Sequence, residues 1–284
     1  MATFFNRATL SYNGMTATSN TVSGEIVGSV TATKTALTET YAAGDTVTYA
    51  INLINSSSSE SLLLTLTDDL GAYPFGSGQV VPLTYVQDSI KQFTNGVQVT
   101  PVTVASESPL TVNNITVPAG GVVTVIYQAT VNEFAPLTAG SQITNVATLT
   151  SPLLGDVATA SETITVAPGT MLSIEKALSP LTVSPNGQIT YTFTVRNSGI
   201  TPAVAADNLS ITDTFEPVLS GLTVTYNGTP LSEGTGYTYD GTTGLFNTVP
   251  GVITVPAATY TQDPVTGEWS GTPGVAVVTV TGTI

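Results

Sequence analysis

The chain repeats itself. "KTALTETYAAGDTVTYAINLINS", starting at Lys34, aligns without a gap to "KALSPLTVSPNGQITYTFTVRNS", starting at Lys176. Lys34 meets Lys176, Tyr49 meets Tyr191 and Asn55 meets Asn197, all 142 residues apart. Further on, "LTLTDDL" from Leu64 matches "LSITDTF" from Leu209, which aligns Asp68 with Asp213. "ITVPA" occurs at Ile115 and again at Ile253, and "VTVIYQATV", ending at Val131, parallels "VVTVTGTI", ending at Ile284. The order is preserved throughout, so this is a tandem duplication rather than shared bias. Each copy must therefore be able to build its own core.

Within each copy the periods are short. "TVTYAINLIN" and "ITYTFTVRN" alternate apolar and polar residues, as strands with one buried face do. Turn signals such as "PNG", "NG", "DG" and "PAGG" recur every 8–12 residues or so, and no 3.6-residue pattern appears. The pattern predicts an all-β chain of two tandem Ig-like antiparallel β-sandwiches. We place the first sandwich at 31–167 and the second at 168–284, joined by "APGT" (Ala167 to Thr170), with residues 1–30 as an N-terminal hairpin and linker.

The two copies end differently. The first passes Val131 and closes with "ITNVATLTSPLLGDVATASETITV", from Ile143 to Val166. The second reaches Ile284, the counterpart of Val131, and lacks an equivalent of that hairpin. The same hairpin stands at the front of the chain. "FFNRATL" from Phe4 matches "ITNVATL" from Ile143, pairing Asn6 with Asn145, Ala8 with Ala147 and Leu10 with Leu149, and "SNTV" at Ser19 parallels "SETI" at Ser161. An unclosed sandwich leaves strand edges and an apolar groove open, and an isolated hairpin is only marginally stable. The seven residues from Val27 to Lys34 span at most about 25 Å. A sandwich of this size is roughly 35–40 Å across, so in an extended tandem the hairpin reaches another molecule's groove and not its own. We expect β-strand addition between chains, a head-to-tail contact that builds an open homopolymeric filament unless it closes. The predicted inserting face carries Phe4, Asn6, Ala8 and Leu10, joined by Met15 and Val22. Phe5, Arg7, Thr9 and Ser11 lie on the other face. The other arrangements are a closed monomer, a reciprocal swapped dimer, or a piece of a longer repeat protein whose preceding repeat ends in this hairpin.

Composition removes other classes. Net charge is −14 with only five basic residues, which rules against nucleic-acid binding. There is no cysteine for disulfides and no histidine for general-base or transition-metal chemistry. No apolar run is long enough to span a membrane as a helix. The start "MATFFNRATL" is not a signal peptide, so export implies a removed leader or another route. Acidic residues abound, but nothing pairs two of them in a pocket, and no enzyme activity is expected.

The Lys-containing first strand followed by "GDTVTYAINLIN", "LTDDL", "VVTVIYQATV" and "ITNVATLT" resembles the tandem conserved-repeat domain of bacterial and archaeal surface proteins, a domain of unknown function numbered eleven. The resemblance covers nearly the whole chain through structural motifs. It implies an extracellular stalk or surface role, here a pilus or spore appendage subunit, and no catalytic residues. A monomeric surface adhesin is the alternative.

Some surface and pilus domains join a Lys and an Asn by an isopeptide bond beside a carboxylate. Lys34 with Asn145, and Lys176 with Asn6 of a neighbouring chain, occupy such positions. The plainer reading, which we prefer from sequence, is a surface Lys and an Asn that binds backbone at a strand bend. Asp68 and Asp69, matched in part by Asp213 and Glu216, offer oxygen ligands for calcium, although solvated carboxylates in a turn fit as well, and no cofactor is otherwise expected. Asn55, Asn114, Asn208 and Asn227 fit the N-glycosylation pattern. Trp269 lies in an insertion of the second copy, on an exposed loop or packed over its own sheet.

Overall fold

The structure is a computed structural model and describes residues 2–26, 30–58 and 61–284. Of the predicted link between hairpin and first sandwich, Val27 to Lys34, residues 27–29 lie outside the described residues. The chain separates into two compact units, one chiefly Met1–Pro136 with Gly140–Val166, the other chiefly Ala167–Asp263 with Trp269–Ile284. Almost all regular structure among the described residues is antiparallel strand, and the one helical element is the short 3-10 turn Ala205–Asp207.

The first unit is a sandwich of two six-stranded sheets. The central part of one sheet runs Lys91–Thr94, Val122–Val131, Thr46–Asn55, Val30–Ala36. The other runs Val104–Glu107, Leu110–Val117, Leu62–Asp68, Gln142–Ser151, Gly155–Val166, Thr40–Tyr41. The period of two read from the sequence decides which side faces the core. Val47, Tyr49, Ile51 and Leu53 point in from one strand, and Val123, Val125, Tyr127 and Ala129 from its neighbour. The closing hairpin supplies Ile143, Asn145, Ala147 and Leu149, all buried. Its first strand pairs with Leu62–Asp68 in a register that sets Ala147 opposite Asp68 and Leu149 opposite Leu66.

The second unit repeats the first sheet as Leu172–Ser179, Gln188–Asn197, Gly274–Thr283, Ser220–Tyr226, Thr229–Leu231. Its facing sheet is reduced to Thr212–Thr214, Leu245–Thr248 and Tyr237–Tyr239. Phe193, Phe215, Phe246, Ile253, Val278 and Val280 form the centre of its core. Thr212–Thr214 is the counterpart of the end of Leu62–Asp68. It pairs with Leu245–Thr248 on one side, and no strand among the described residues pairs on the other.

The N-terminal segment is a hairpin. Ala2–Asn6 pairs with Val22–Ile26, and Thr9–Tyr12 with Met15–Thr18. Asn13 and Gly14 form the two-residue turn with φ of 48° and 77°, the left-handed pair that a type I′ turn demands. Among the described residues its strands pair only with one another.

Candidate functional site

The hairpin's apolar side chains have no core to enter. Phe4 is 53% exposed, Leu10 69%, Met15 71% and Val22 54%, and Asn6 and Ala8 are exposed too. Their counterparts in the closing hairpin, Asn145, Ala147, Leu149 and Ile164, are almost completely buried. The same sequence pattern is therefore core in one place and surface in the other. The Phe4 ring lies across Gly24, on the opposing strand, so close that a Cβ there would stand 2.5 Å from it.

In the second unit the corresponding place is open. A groove of about 160 Å³ is lined by Leu172, Ile174, Val195, Leu209 and Ile211. By the repeat alignment these match Val30, Ala32, Leu53, Leu64 and Leu66. Val30, Leu53, Leu64 and Leu66 are buried in the first unit, under the closing hairpin. In the second unit Leu172 and Ile174 are 42% and 57% exposed.

At the closed end of this comparison the first unit holds a buried polar cluster. Lys34 Nζ lies 2.6 Å from Asp68 Oδ2, with both side chains at zero exposure. The Tyr127 hydroxyl donates to the same oxygen at 2.7 Å, and the Leu70 amide donates to Oδ1. Asn145 Nδ2 donates to the Tyr127 hydroxyl at 2.9 Å, while Asn145 Oδ1 is buried with no hydrogen-bond partner. The Lys34 ammonium sits 4.9 Å from the centre of the Tyr49 ring. Burial pulls the Lys34 pKa below its usual value, partly offset by the Asp68 charge, and burial pushes Tyr127 well above its own. A buried acceptor without a donor costs about 1–3 kcal/mol, so this is not an arrangement that packing alone would select.

The preferred sequence reading of Lys34 as a surface lysine is thus wrong. Lys34 follows Val30 and Ala32 on the inward face of its strand, and that register carries it into the core. Asn145 likewise binds Tyr127 and not backbone. Nor is Asp68 solvated, and Asp69 is half-buried. Asp68 is buried, and Asp69 Oδ1 accepts the Gly71 and Val146 amides. Their oxygens face protein donors, and the described residues hold no group of three or more acidic side chains placed for a metal ion. Tyr127 was missed. The alternation in "VTVIYQATV" turns it inward, but nothing local shows that it meets Asp68, 59 residues away.

The second unit carries the same cluster in open form. Lys176 Nζ pairs with Asp213 Oδ2, the side chains being 41% and 19% exposed. The ammonium lies 4.5 Å from the Tyr191 ring centre, as Lys34 lies over Tyr49. Among the described residues no asparagine bonds to this pair, and the position of Tyr127 is taken by Val280. Of the remaining candidates, Asn55 is buried and bonded to Val117 O, Asn114 is exposed with positive φ at the bulge of the strand Leu110–Val117, and Asn208 and Asn227 are exposed with positive φ outside strands. Trp269 is half-buried on a strand paired with Thr259–Gln262. No helix among the described residues is long and apolar enough to cross a membrane.

Scanned against known protein families the chain matches none, and no curated protein matches it. Solved structures with some likeness include the pilus backbone protein RrgB of Streptococcus pneumoniae, at 10% identity and a TM-score of 0.34, covering 86% of this chain and 55% of that one. BcpA, the major pilin subunit of Bacillus cereus, shares 14% identity at a TM-score of 0.36, covering 95% of this chain and 73% of that one. The sporulation control protein Spo0M of Bacillus subtilis shares 10% identity at a TM-score of 0.31, over 60% of this chain and 74% of that one. This chain thus spans about half the length of the pneumococcal backbone protein it resembles.

Proposed function

We propose that this protein is the structural subunit of an extracellular filament, assembled head to tail as its N-terminal hairpin enters the second sandwich of the next copy. One observation carries the reading. The groove lined by Leu172, Ile174 and Leu209 is open, and its counterpart in the first unit is filled by a hairpin of the same sequence pattern as the exposed one at the front. The inserted strand would lie along Thr212–Thr214, with Ala8 opposite Asp213 as Ala147 lies opposite Asp68. It would gain backbone pairing and bury Leu10 and Phe4. The chain then acts as scaffold, with no catalytic role, and the likeness to surface-repeat domains belongs to the same proposal.

A second reading, a monomeric adhesin, draws on a hollow of about 700 Å³ in the first unit lined by Gln87, Asp88, Lys91, Gln98 and Glu107 among others. Negative-stain microscopy and sedimentation of the purified full chain separate the two. Long fibres support donation, and compact particles at every concentration favour the adhesin.

A further inference from the structure

We propose that the acceptor closes over its guest. Residues 181–183 of the second unit, outside any strand in the free subunit, become an edge strand when a second copy's hairpin is seated, and grip the end of that hairpin's second strand. This rests on the donation reading and gives the acceptor a second binding edge.

The first unit holds the finished form. Its closing hairpin is paired along both outer edges. Gln142–Ser151 pairs with Leu62–Asp68, and the end of Gly155–Val166 pairs in parallel with Thr40–Tyr41, Thr165 opposite Thr40 and Val166 opposite Tyr41. The Thr165 amide donates to the Glu39 carbonyl at 2.9 Å. Tyr41 is fully buried, and its hydroxyl donates to the Pro136 carbonyl at 2.6 Å. Gly155–Val166 also packs on Val30–Ala36.

The repeat offset of 142 carries Glu39, Thr40 and Tyr41 to Leu181, Thr182 and Val183. The threonine is unchanged, and valine suits a strand as well as tyrosine does. Yet these residues lie outside any strand, and no backbone hydrogen bond among the described residues holds them. Val183 is 37% exposed where Tyr41 is buried. The bonds of a strand all run to its neighbours, so a segment this short is a strand only while a neighbour is present. In the first unit that neighbour is the second strand of the closing hairpin, and a seated guest would supply it in the second unit.

The strand order agrees. The facing sheet of the second unit runs Tyr237–Tyr239, Leu245–Thr248, Thr212–Thr214. Adding both strands of a guest hairpin and then Thr182 with Val183 gives six strands, in the order of the first unit's sheet from Val104–Glu107 to Thr40–Tyr41. The guest's second strand would then cover Leu172 and Ile174, the exposed counterparts of Val30 and Ala32.

The grip falls where load arrives. Val22–Ile26 is the part of the hairpin that runs on toward the guest's own first unit, whose first strand begins at Val30. A pull along the filament draws on this strand end first, and the added bonds lie across that pull. Residues 181–183 thus set how long a subunit stays in the filament, more than how readily it enters.

The test is hydrogen–deuterium exchange of the full chain before and after assembly, read by mass spectrometry over residues 179–187 and 37–45. In the free subunit residues 181–183 should exchange fast and residues 40–41 slowly. In fibres both should be slow, with Val183 slowed by at least about a hundredfold. Fibres of Leu181→Asp and Val183→Asp are then diluted and the release of subunits is followed. Glu39, the counterpart of Leu181, stays exposed beside the closed hairpin, so Leu181→Asp should release at the wild-type rate. Val183→Asp sets a carboxylate where Tyr41 is buried and should release at least about tenfold faster. Melting of each free subunit checks its fold, and Val183→Ser replaces Val183→Asp if the latter is unfolded. Wild-type fibres in which residues 181–183 exchange as fast as in the free chain, or two variants that release alike, overturn the grip and leave donation standing. A wild type that never assembles overturns both.

Discussion

Leu10→Asp separates the donation reading from its rivals most sharply. In the free chain Leu10 is 69% exposed, so the change should alter the subunit's own stability by no more than about 0.5 kcal/mol. Leu149, which holds the equivalent place in the closing hairpin, is fully buried opposite Leu66. The docked variant therefore loses about 1.5–3 kcal/mol of apolar burial. It must also bring a carboxylate into an apolar groove, at several kcal/mol more. A total near 5 kcal/mol corresponds to about three to four decades in the dissociation constant. Phe5→Asp is the control, because the counterpart of Phe5 is Thr144, which faces solvent. Sedimentation velocity and electron micrographs read assembly, and the melting temperature confirms that the subunit is intact. We expect Leu10→Asp to melt normally and stay unassembled, and Phe5→Asp to assemble. Fibres of wild-type length from Leu10→Asp, or equal failure of both variants, would refute the face assignment.

Three further outcomes follow from the two sandwiches. Asp68→Ala strips the counter-charge from a fully buried Lys34 and should lower unfolding free energy by about 3–5 kcal/mol. Asp213→Ala, at the half-open pair, should cost under about 1 kcal/mol, and urea titrations of the two variants test the contrast. Tyr41, Tyr49 and Tyr127 are held above the usual tyrosine pKa of 10.0, chiefly by burial. The unfolded chain ionises them first, so the stability they confer is complete below pH 10 and declines above it, by up to about 1.4 kcal/mol per pH unit for each. A urea midpoint that stays level through that range would contradict this. Gly274→Ala would place a Cβ 1.9 Å from the Pro256 carbonyl oxygen, and calorimetry should show the second unit destabilised by about 1–3 kcal/mol.

The sandwiches were legible because alternation is a local property. "TVTYAINLIN" and "VTVIYQATV" announce their inward faces residue by residue, and the repeat alignment carries that reading from one unit to the next. Even Asn145, Ala147 and Leu149 fall on the expected side. The cluster was less legible because it is made across sheets. Lys34 was judged by its charge and not by its register, although Val30 and Ala32 on the same face argued for burial. Tyr127, Asp68 and Asn145 meet only once three separate strands are placed, and no spacing in the chain encodes that meeting. The reduced second sheet of the second unit was hidden for a similar reason. "LSITDTF" looks as strand-like as "LTLTDDL", but only Thr212–Thr214 is strand there, and among the described residues it pairs on one side alone, with Leu245–Thr248.

The turn at Asn13 and Gly14 has a consequence for speed. Its two left-handed residues set which residue faces which along Thr9–Tyr12 and Met15–Thr18 before any partner is met. A slip of one residue would send Leu10 to the wrong side of the ribbon. With that choice already made, an encounter need not search for alignment within the ribbon, and less conformational freedom is lost on capture. The rate of capture should therefore depend on keeping this turn. A variant that loosens it, such as Gly14→Val, should bind slowly even with every contact residue in place.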